Sequence, residues 1–373
     1  ERRPPNFQIM NTPSIPSSPR ILTTTVGSYP VPDWLSALPS EQAVIDATRV
    51  IFDTQRQSGI DLPTDGELYR FDVNHPDTNG MIEYFVGPMG GCDSIIGRAD
   101  TEAFRALIER QVEGGVNGIV PCGTTGESPT LGRKEHLRVI ELAVEYAAGR
   151  IKVIAGTGAN ATSEAIHLTT EAAKLGVDAT LQVCPYYNKP SQEGLYQHYK
   201  AIAQCSDLPI MLYSIPGRSV IEIAVDTIAR LAADCPTIIA NKEAGGDPER
   251  VTQIKAALPD DFQILSGDDP LTIEFMKRGA VGLVSVATNI IPDIMSGLVR
   301  DMAEGRIEDA EDTQAQYEPL LSTLMSIDTN PVPIKSAVAM QGHCTDEIRL
   351  PLVNLSTENQ AILHNTLASY SLI

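Results

Sequence analysis

The chain has no CxxC pair of cysteines and no apolar run near the ~20 residues a membrane helix needs. It also lacks histidines or cysteines at metal-ligand spacing. Each absence closes off a class of protein. The six cysteines (92, 122, 184, 205, 235 and 344) are scattered, so they read as buried or free thiols. That suits a reducing compartment, not a disulfide frame or a zinc site, and the expected location is cytoplasmic. The first residues, Glu1-Arg-Arg-Pro-Pro-Asn-Phe7, lead into no apolar h-region, so no secretory signal is expected there. The sequence opens on Glu rather than Met, which leaves room for a segment upstream. Positive charge is scarce as well. Acidic residues outnumber basic ones 48 to 28, for a formal charge of −20. That field argues against nucleic acid or an anionic membrane as the main partner. A small anionic substrate stays open, because a few local cations can overrule the global field.

With 373 residues there is room for one α/β barrel of about 250 residues and something more. Residues 1–20 carry five prolines among Ser and Asn and read as an irregular arm. Ile21–Val26 is a β-branched run ending at a Gly-Ser-Tyr-Pro turn, and Ser40–Gln55 has helical apolar spacing. A second strand and loop are expected at 60–67 and another loop at 72–80. From Met81 the pattern changes. Eight candidate strands recur with helical segments between them: Ile82–Val86, Gly118–Cys122, Lys152–Ala155, Ala179–Val183, Pro209–Tyr213, Ile238–Asn241, Gln263–Leu265 and Val281–Val286. The intervening Thr101–Val112, Lys134–Ala147 and Ser163–Leu175 have helical spacing. Such alternation predicts parallel pairing and a (β/α)8 TIM barrel. Pro292–Glu304, Ile307–Ile327, Val332–Gln341 and Glu358–Tyr370 predict a C-terminal helical extension. The expected division is an arm at 1–20, a βαβ-like segment at 21–80, the barrel at 81–295 and helices at 296–373.

In a parallel barrel the chemistry sits where strands end. The second candidate strand is followed by Gly123-Thr-Thr-Gly-Glu-Ser128, two hydroxyls between glycines that suit a carboxylate, or simply cap a helix. Gly156-Thr-Gly-Ala-Asn160 has GxG without the third glycine of a dinucleotide fingerprint. Pro185–Pro190, Tyr213-Ser-Ile-Pro-Gly-Arg218 and Gly267-Asp-Asp269 follow later strands. Lys242 ends the apolar run Ile238–Asn241, ahead of a Gly-rich turn. Alone it reads as a cation reaching solvent or pairing with Glu243. With its neighbours it reads differently. A desolvated lysine is an amine nucleophile for ketones, an arginine fixes a carboxylate, and Tyr or Thr hydroxyls pass protons. Together they suggest Schiff-base chemistry on a 2-oxo acid. The six histidines (75, 136, 167, 198, 343 and 364) are read as surface or structural.

From about residue 81 onward the sequence resembles the dihydrodipicolinate synthase family of pyruvate-dependent class I lyases. The resemblance rests on GTTGESPTL (123–131), VIAGTGANAT (153–162), PYYNKPSQEGLYQHYKAIA (185–203), LPIMLYSIPGR (208–218), KEAGG (242–246), LSGDD (265–269), NPVPIK (330–335) and IRLPL (348–352). It implies condensation of pyruvate with aspartate 4-semialdehyde to 4-hydroxy-tetrahydrodipicolinate, on the route to diaminopimelate and lysine. No separate cofactor is implied, since the covalent imine does that work. By resemblance Lys242 forms the imine and Tyr213 passes protons. Thr124 links Tyr213 to Tyr187, which reaches in from a neighbouring subunit of a tight dimer or dimer of dimers. Thr125 holds the pyruvate carboxylate, Arg218 that of the aldehyde, and Gly267 and Val284 line the lysine pocket. Feedback inhibition by L-lysine is implied at Ser128, Arg133, His136, Asn160, Glu164 and Tyr186. Arg133 stands where His or Lys is frequent.

Three departures stand out: Ser214 and Ser219 replace the frequent Asn and Thr, and Asn241 sits where an apolar residue usually precedes the lysine. Asn241 should point away from the barrel interior and need a partner for its amide. Two alternatives remain. One is a 2-keto-3-deoxy sugar acid or N-acetylneuraminate-type aldolase, which shares Lys and Tyr; the paired Thr and Arg218 favour the synthase. The other is an impaired barrel acting as a binding or assembly protein. That second alternative arises from the first eighty residues. TTTVGSYPVPDWL (23–35) and DGELYRFDVNHPDTNGMIEYF (65–85) resemble a fragment of the cobalamin-independent methionine synthase family. The zinc-binding His and Cys of that family have no counterpart here, and His343-Cys344 is a poor substitute.

Overall fold

A computed structural model describes residues 41–57 and 98–373. Contacts divide the chain into two units, Glu1–Ile95 and Ile96–Ile373. In the first, the described part is helix α1, Glu41–Gln57, which covers the helix expected at 40–55. It buries Ala47 and Ile51 and leaves Asp46 and Arg49 exposed, paired at 3.3 Å. The expected strands at 21–26 and 82–86, the elements at 60–67 and 72–80, and Cys92 lie outside the described residues.

In the second unit, seven parallel strands stand side by side in chain order. They are β1 (Gly118–Ile119), β2 (Lys152–Gly156), β3 (Ala179–Val183), β4 (Ile210–Ser214), β5 (Ile238–Glu243), β6 (Gln263–Ser266) and β7 (Gly282–Leu283). Helices run between them: α2 Arg98–Glu113, α3 Arg133–Ala147, α4 Thr162–Leu175, α5 Gln192–Ala203, α6 Pro216–Ser219, α7 Val225–Asp234, α8 Glu249–Ala257 and α9 Thr272–Lys277. After β7 come α10 (Pro292–Ala303), α11 (Ile307–Ser326), α12 (Val332–Met340) and α13 (Thr357–Ser369). Strand after helix after strand, each next to its predecessor, is the winding of a (β/α)8 barrel. Among the described residues, no helix is long and apolar enough to cross a membrane.

Local chemistry sets the element ends. His136, Ile140, Ala143 and Ala147 recur at helical spacing on α3 and are all buried. Ser191 caps α5 by accepting from the Gly194 N–H at 3.2 Å. Gly176 ends α4 at φ 84, a conformation that favours glycine. Two expected strands shorten to two residues. After β1, Pro121 has no N–H to donate and Cys122 turns to φ 56. After β7, the Val286 and Ala287 N–H groups turn to the Asp269 carboxylate at 2.8 and 3.4 Å. By contrast β5 runs on through Glu243, so Lys242 lies inside a strand.

One apolar cluster sits between β4–β6 and the helices around them, built on Leu195, Tyr199, Leu212, Ile228, Ile254 and Phe275. Another joins β1 and β2 to α2–α4 through Ile108, Ile140 and Val153. The C-terminal helices form their own core around Leu320, Leu324, Ile334 and Leu363, packed on the segment 286–295. That arrangement hangs the extension on the end of the sheet where the strands finish.

Candidate active site

Register brings Tyr213 of β4 opposite Lys242 of β5. Residues in register on neighbouring strands share a face, so both side chains enter the same space. Lys242 Nζ stands 4.3 Å from the centre of the Tyr213 ring, over its face. Tyr213 is buried and Lys242 half-buried. The residues on either side of Lys242 take the opposite face. Asn241 and Glu243 are both fully buried, and Asn241 Nδ2 donates to Glu243 Oε2 at 3.2 Å. Glu243 also accepts from Arg250 Nε at 3.0 Å and from the Gly245 N–H at 2.9 Å. Arg250 in turn pairs with Glu222 at 3.0 Å. Burial pushes the Glu243 carboxyl above its ordinary range despite the Arg250 charge. So Glu243 pairs with Arg250 and leaves the Lys242 ammonium to the other face. The amide of Asn241 has found one partner, while its Oδ1 has none.

The space around Lys242 is kept open by glycine. A Cβ on Gly267 would stand 2.9 Å from Lys242 Cε and 2.7 Å from Ala244 Cβ. The Gly267 N–H donates to Glu243 O at 2.7 Å, and Val284 N to Ser266 O at 2.8 Å. These bonds seat Gly267 and Val284 where β6 and β7 end. Buried Asp269 ties the same two ends together by accepting from Ser285 Oγ and the Val286 N–H.

The Thr124-Thr125 turn follows β1. A side chain on Gly156 would collide with Cys122 O, so only glycine lets the end of β2 lie this close to the turn. Thr124 and Thr125 are half-buried. Glu127, at φ 56, accepts from Lys335 Nζ at 2.5 Å and from the Arg349 N–H at 3.0 Å. Arg349 also donates to Thr130 O at 3.1 Å and to Glu135. The C-terminal extension thus grips the turn. Asn330 reaches it too, donating from Nδ2 to Thr125 Oγ1 at 3.0 Å. The main-chain oxygen of Asn330 accepts from Arg218 Nη2 at 2.9 Å. Thr125 and Arg218 therefore share one neighbour. Among the described residues, no hydrogen bond joins Thr124 to Tyr213 or to Tyr187. Tyr187 is 88% exposed at φ 75, on a turn braced by Asn188 Nδ2 donating to Asn160 O at 2.8 Å.

The residues expected to bind an inhibitor form a neighbouring group. Arg133 Nε meets Glu164 Oε1 at 3.3 Å, and Asn160 Nδ2 donates to Tyr186 O at 3.3 Å. His136 is buried and its Nε2–H donates to Gly156 O at 2.7 Å. Burial lowers its pKa, against the pull of that bond and of Glu164. Burial, and then Glu164, raises that of Tyr186. Ser128 opens the one-turn 3-10 helix Ser128–Thr130 on the Thr-Thr turn.

Sequence reasoning gave Asn330, Glu127, Lys335, Arg349 and Arg250 no role. All but Arg250 stand inside the motifs of the resemblance, so the signal was present but pointed to no atom. Among the described residues, no group of His, Cys, Asp and Glu is placed to hold a metal.

A lysine amine over a tyrosine ring, a paired-hydroxyl turn and an arginine at the strand ends suit an imine to a small oxo acid. The relatives agree. The Dihydrodipicolinate synthetase family matches residues 79–370. A 4-hydroxy-tetrahydrodipicolinate synthase of Aquifex aeolicus is 49% identical over 276 residues, 74% of this chain and 94% of that one. The solved synthase of Methylacidiphilum fumariolicum SolV is 51% identical at a TM-score of 0.72, covering 73% of this chain and 90% of its own. A crystal structure from Cyanidioschyzon merolae with lysine bound is 38% identical at a TM-score of 0.71, covering 74% and 93%.

Proposed function

Since this chain belongs to the dihydrodipicolinate synthetase family, we infer that Lys242 is the amine of a 4-hydroxy-tetrahydrodipicolinate synthase. The reaction condenses pyruvate with aspartate 4-semialdehyde. Lys242 Nζ attacks the pyruvate ketone and water leaves, giving an imine. The cationic nitrogen draws electrons from the methyl group, which loses a proton to form an enamine. The enamine carbon attacks the aldehyde carbon. The amine of the aldehyde substrate then displaces Lys242 from the imine carbon, closing the ring and freeing the enzyme. The imine is itself the electron sink, so the chemistry needs no external cofactor.

The observation that carries this reading is Lys242 Nζ over the Tyr213 ring, with Gly267 making room beside it. Tyr213 moves the protons. Thr125 receives the pyruvate carboxylate, and Arg218 at the mouth receives that of the aldehyde. Thr124 passes protons toward Tyr187 of a neighbouring copy. Tyr187 is too exposed here to serve its own site, which favours self-association as a tight dimer or a dimer of dimers. Val284 and Gly267 line the lysine pocket. The barrel is assigned to residues 81–295 and the extension to 296–373. L-Lysine inhibits at Ser128, Arg133, His136, Asn160, Glu164 and Tyr186, a reading supported by the Arg133–Glu164 pair and by the relative with lysine bound. The free thiols of the described cysteines suit the cytoplasm.

Borohydride reduction with pyruvate tests the core of this. A reduced adduct on Lys242, absent from Lys242→Met, is expected; no adduct on the unaltered protein overturns the Schiff-base reading and leaves an impaired barrel. Turnover with aspartate 4-semialdehyde, measured against 2-keto-3-deoxy sugar acids, separates the synthase from the aldolases.

A further inference from the structure

Arg250 lies in the first turn of α8 and is 7% exposed. Its guanidinium holds two segments of the chain at once. Toward β5, Nε donates to Glu243 Oε2 at 3.0 Å, beside Lys242 in the chain. Toward the segment between α6 and α7, Nη1 pairs with Glu222 Oε2 at 3.0 Å and Nη2 donates to the Ile223 main-chain oxygen. Arg218 stands just ahead of that segment, in α6. Neither end is loose. Glu243 also accepts from Asn241 Nδ2 and the Gly245 N–H. Gln192 Nε2 donates to Glu222 O at 2.8 Å, and Ser219 Oγ, next to Arg218, donates to Ile221 O at 2.7 Å. A Cβ on Gly245 would stand 2.8 Å from Glu243 Oε1 and 3.4 Å from Glu222 Oε1, so two carboxylates converge on one guanidinium.

Net stability does not explain this arrangement. A buried ion pair recovers little beyond the cost of taking both charges from water, and an apolar pair of the same volume is often as stable. What the apolar pair would not do is fix direction. Arginine presents its N–H donors in a rigid plane, so three acceptors on two segments set both a distance and an angle. Lys242 keeps its own place without that help, because β5 pairs with β4 and β6 on either side of it. Arg218 lies outside the sheet, and Arg250 ties its segment to β5.

We propose that Arg250 is a positioning residue for the carbon–carbon bond-forming half of the reaction. Through Glu243 on one side, and Glu222 and the Ile223 oxygen on the other, it sets the reach from Lys242 to Arg218. The enamine carbon on Lys242 and the aldehyde carbon of a substrate held by Arg218 must meet at roughly 3–3.5 Å. A misplacement of about 1 Å between the two holders costs on the order of a hundredfold in rate. Imine formation draws on Lys242, Tyr213 and Thr125 but not on Arg218, so it is insensitive to that reach. The inference rests on the Lys242 and Arg218 assignments above.

The test uses the full-length chain. Pyruvate is held as the imine before the aldehyde arrives, so kcat/KM for each substrate reads a separate half of the reaction. Arg250→Lys keeps the charge but has one nitrogen on a flexible stem and cannot reproduce the fork. Glu243→Gln combined with Arg250→Met removes both buried charges together, and Glu222, whose side chain is 41% exposed, keeps its water. In both variants kcat/KM for aspartate 4-semialdehyde should fall on the order of a hundredfold, while kcat/KM for pyruvate and borohydride trapping on Lys242 stay within about twofold. The melting temperature of the double variant should not fall. A joint fall of both kcat/KM values that tracks a lower melting temperature overturns the proposal and leaves Arg250 as a brace for the fold. Unchanged values for both substrates overturn it as well. Absence of the pyruvate adduct from the unaltered protein marks instead the failure of the Schiff-base assignment beneath it, and an Arg218→Met variant with unchanged kcat/KM for the aldehyde marks that of Arg218.

Discussion

Gly267 leaves Lys242 its space: a Cβ at that position would stand 2.9 Å from Lys242 Cε and 3.1 Å from Glu243 O. The second neighbour is backbone and cannot step aside, so a methyl group there must displace the lysine. Gly267→Ala is expected to slow pyruvate trapping by tenfold or more, on the order of the effect of a 1 Å misplacement. Overpacking should cost about 1–3 kcal/mol of stability. Trapping kinetics and thermal melting measure the two effects separately. Trapping at the normal rate would show that Lys242 has another route to the ketone.

Tyr187 predicts complementation. A site in this chain that borrows its tyrosine from a second copy fails in Lys242→Met homo-oligomers and is impaired in Tyr187→Phe homo-oligomers. Mixed oligomers of the two contain one site with Lys242 from one chain and Tyr187 from the other. Co-refolding the two variants should therefore restore activity above the sum of the separate preparations. Additive activities, with mixed oligomers verified by mass, would place Tyr187 outside the site.

His198 predicts a pH dependence of folding. It is 6% exposed, its Nδ1 lies 2.9 Å from Thr162 Oγ1, and burial lowers its pKa to about 4. The folded-state value is below the ordinary 6.5, so the folded chain resists protonation that the unfolded chain accepts. The contribution to stability is full above pH 6.5 and is lost as pH falls from there through about 4. It amounts to roughly 3 kcal/mol at most. His198→Asn keeps a polar atom near Thr162 and does not titrate. Denaturant melts at pH 7 and 4.5 should show a smaller pH effect in this variant. An equal effect would place the titration elsewhere.

Glu164 predicts the response to L-lysine. It holds Arg133 at 3.3 Å and bears on both His136 and Tyr186. Glu164→Ala leaves Arg133 unpaired beside an incoming ammonium. Inhibition by lysine should weaken on the order of tenfold to a hundredfold, the loss of one charge-assisted hydrogen bond and a gain in repulsion. Turnover without lysine should be little changed. Inhibition curves with millimolar-scale lysine decide it, and identical curves would move the inhibitor elsewhere.

Much of this was legible in the sequence, and the limits have physical causes. Strand β3 falls at Ala179–Val183 as the apolar run predicts, and α2–α4 and α10–α13, the helices given bounds in advance from Thr101 onward, lie within three residues of expectation. Short-range pattern decides those elements. Asn241 was expected to turn away from the barrel and need a partner, and it does both, because strand alternation fixes the face. The length of β5 was not legible. Lys242 and Glu243 look like the start of a loop until Arg250, seven residues on, supplies the charge that lets Glu243 be buried. The shortening at β7 depends on Asp269 reaching across to Val286, which a local pattern cannot show. In the site, the resemblance named side chains expected to meet substrate. It said nothing of Asn330, Glu127 or Lys335, whose roles exist only as contacts between residues about 200 positions apart.

Those long-range contacts set a schedule. Asn330, Lys335 and Arg349 come after every described strand, and all three reach back to the turn that follows β1. A chain still leaving the ribosome carries Lys242 long before it carries the residues that lock Thr125 and receive Arg218. A fragment that stops before Asn330 has Lys242 on its strand without the contacts that hold Thr125 and Arg218. The turn after β1 is therefore completed last, by residues that leave the ribosome only after the whole described sheet has done so.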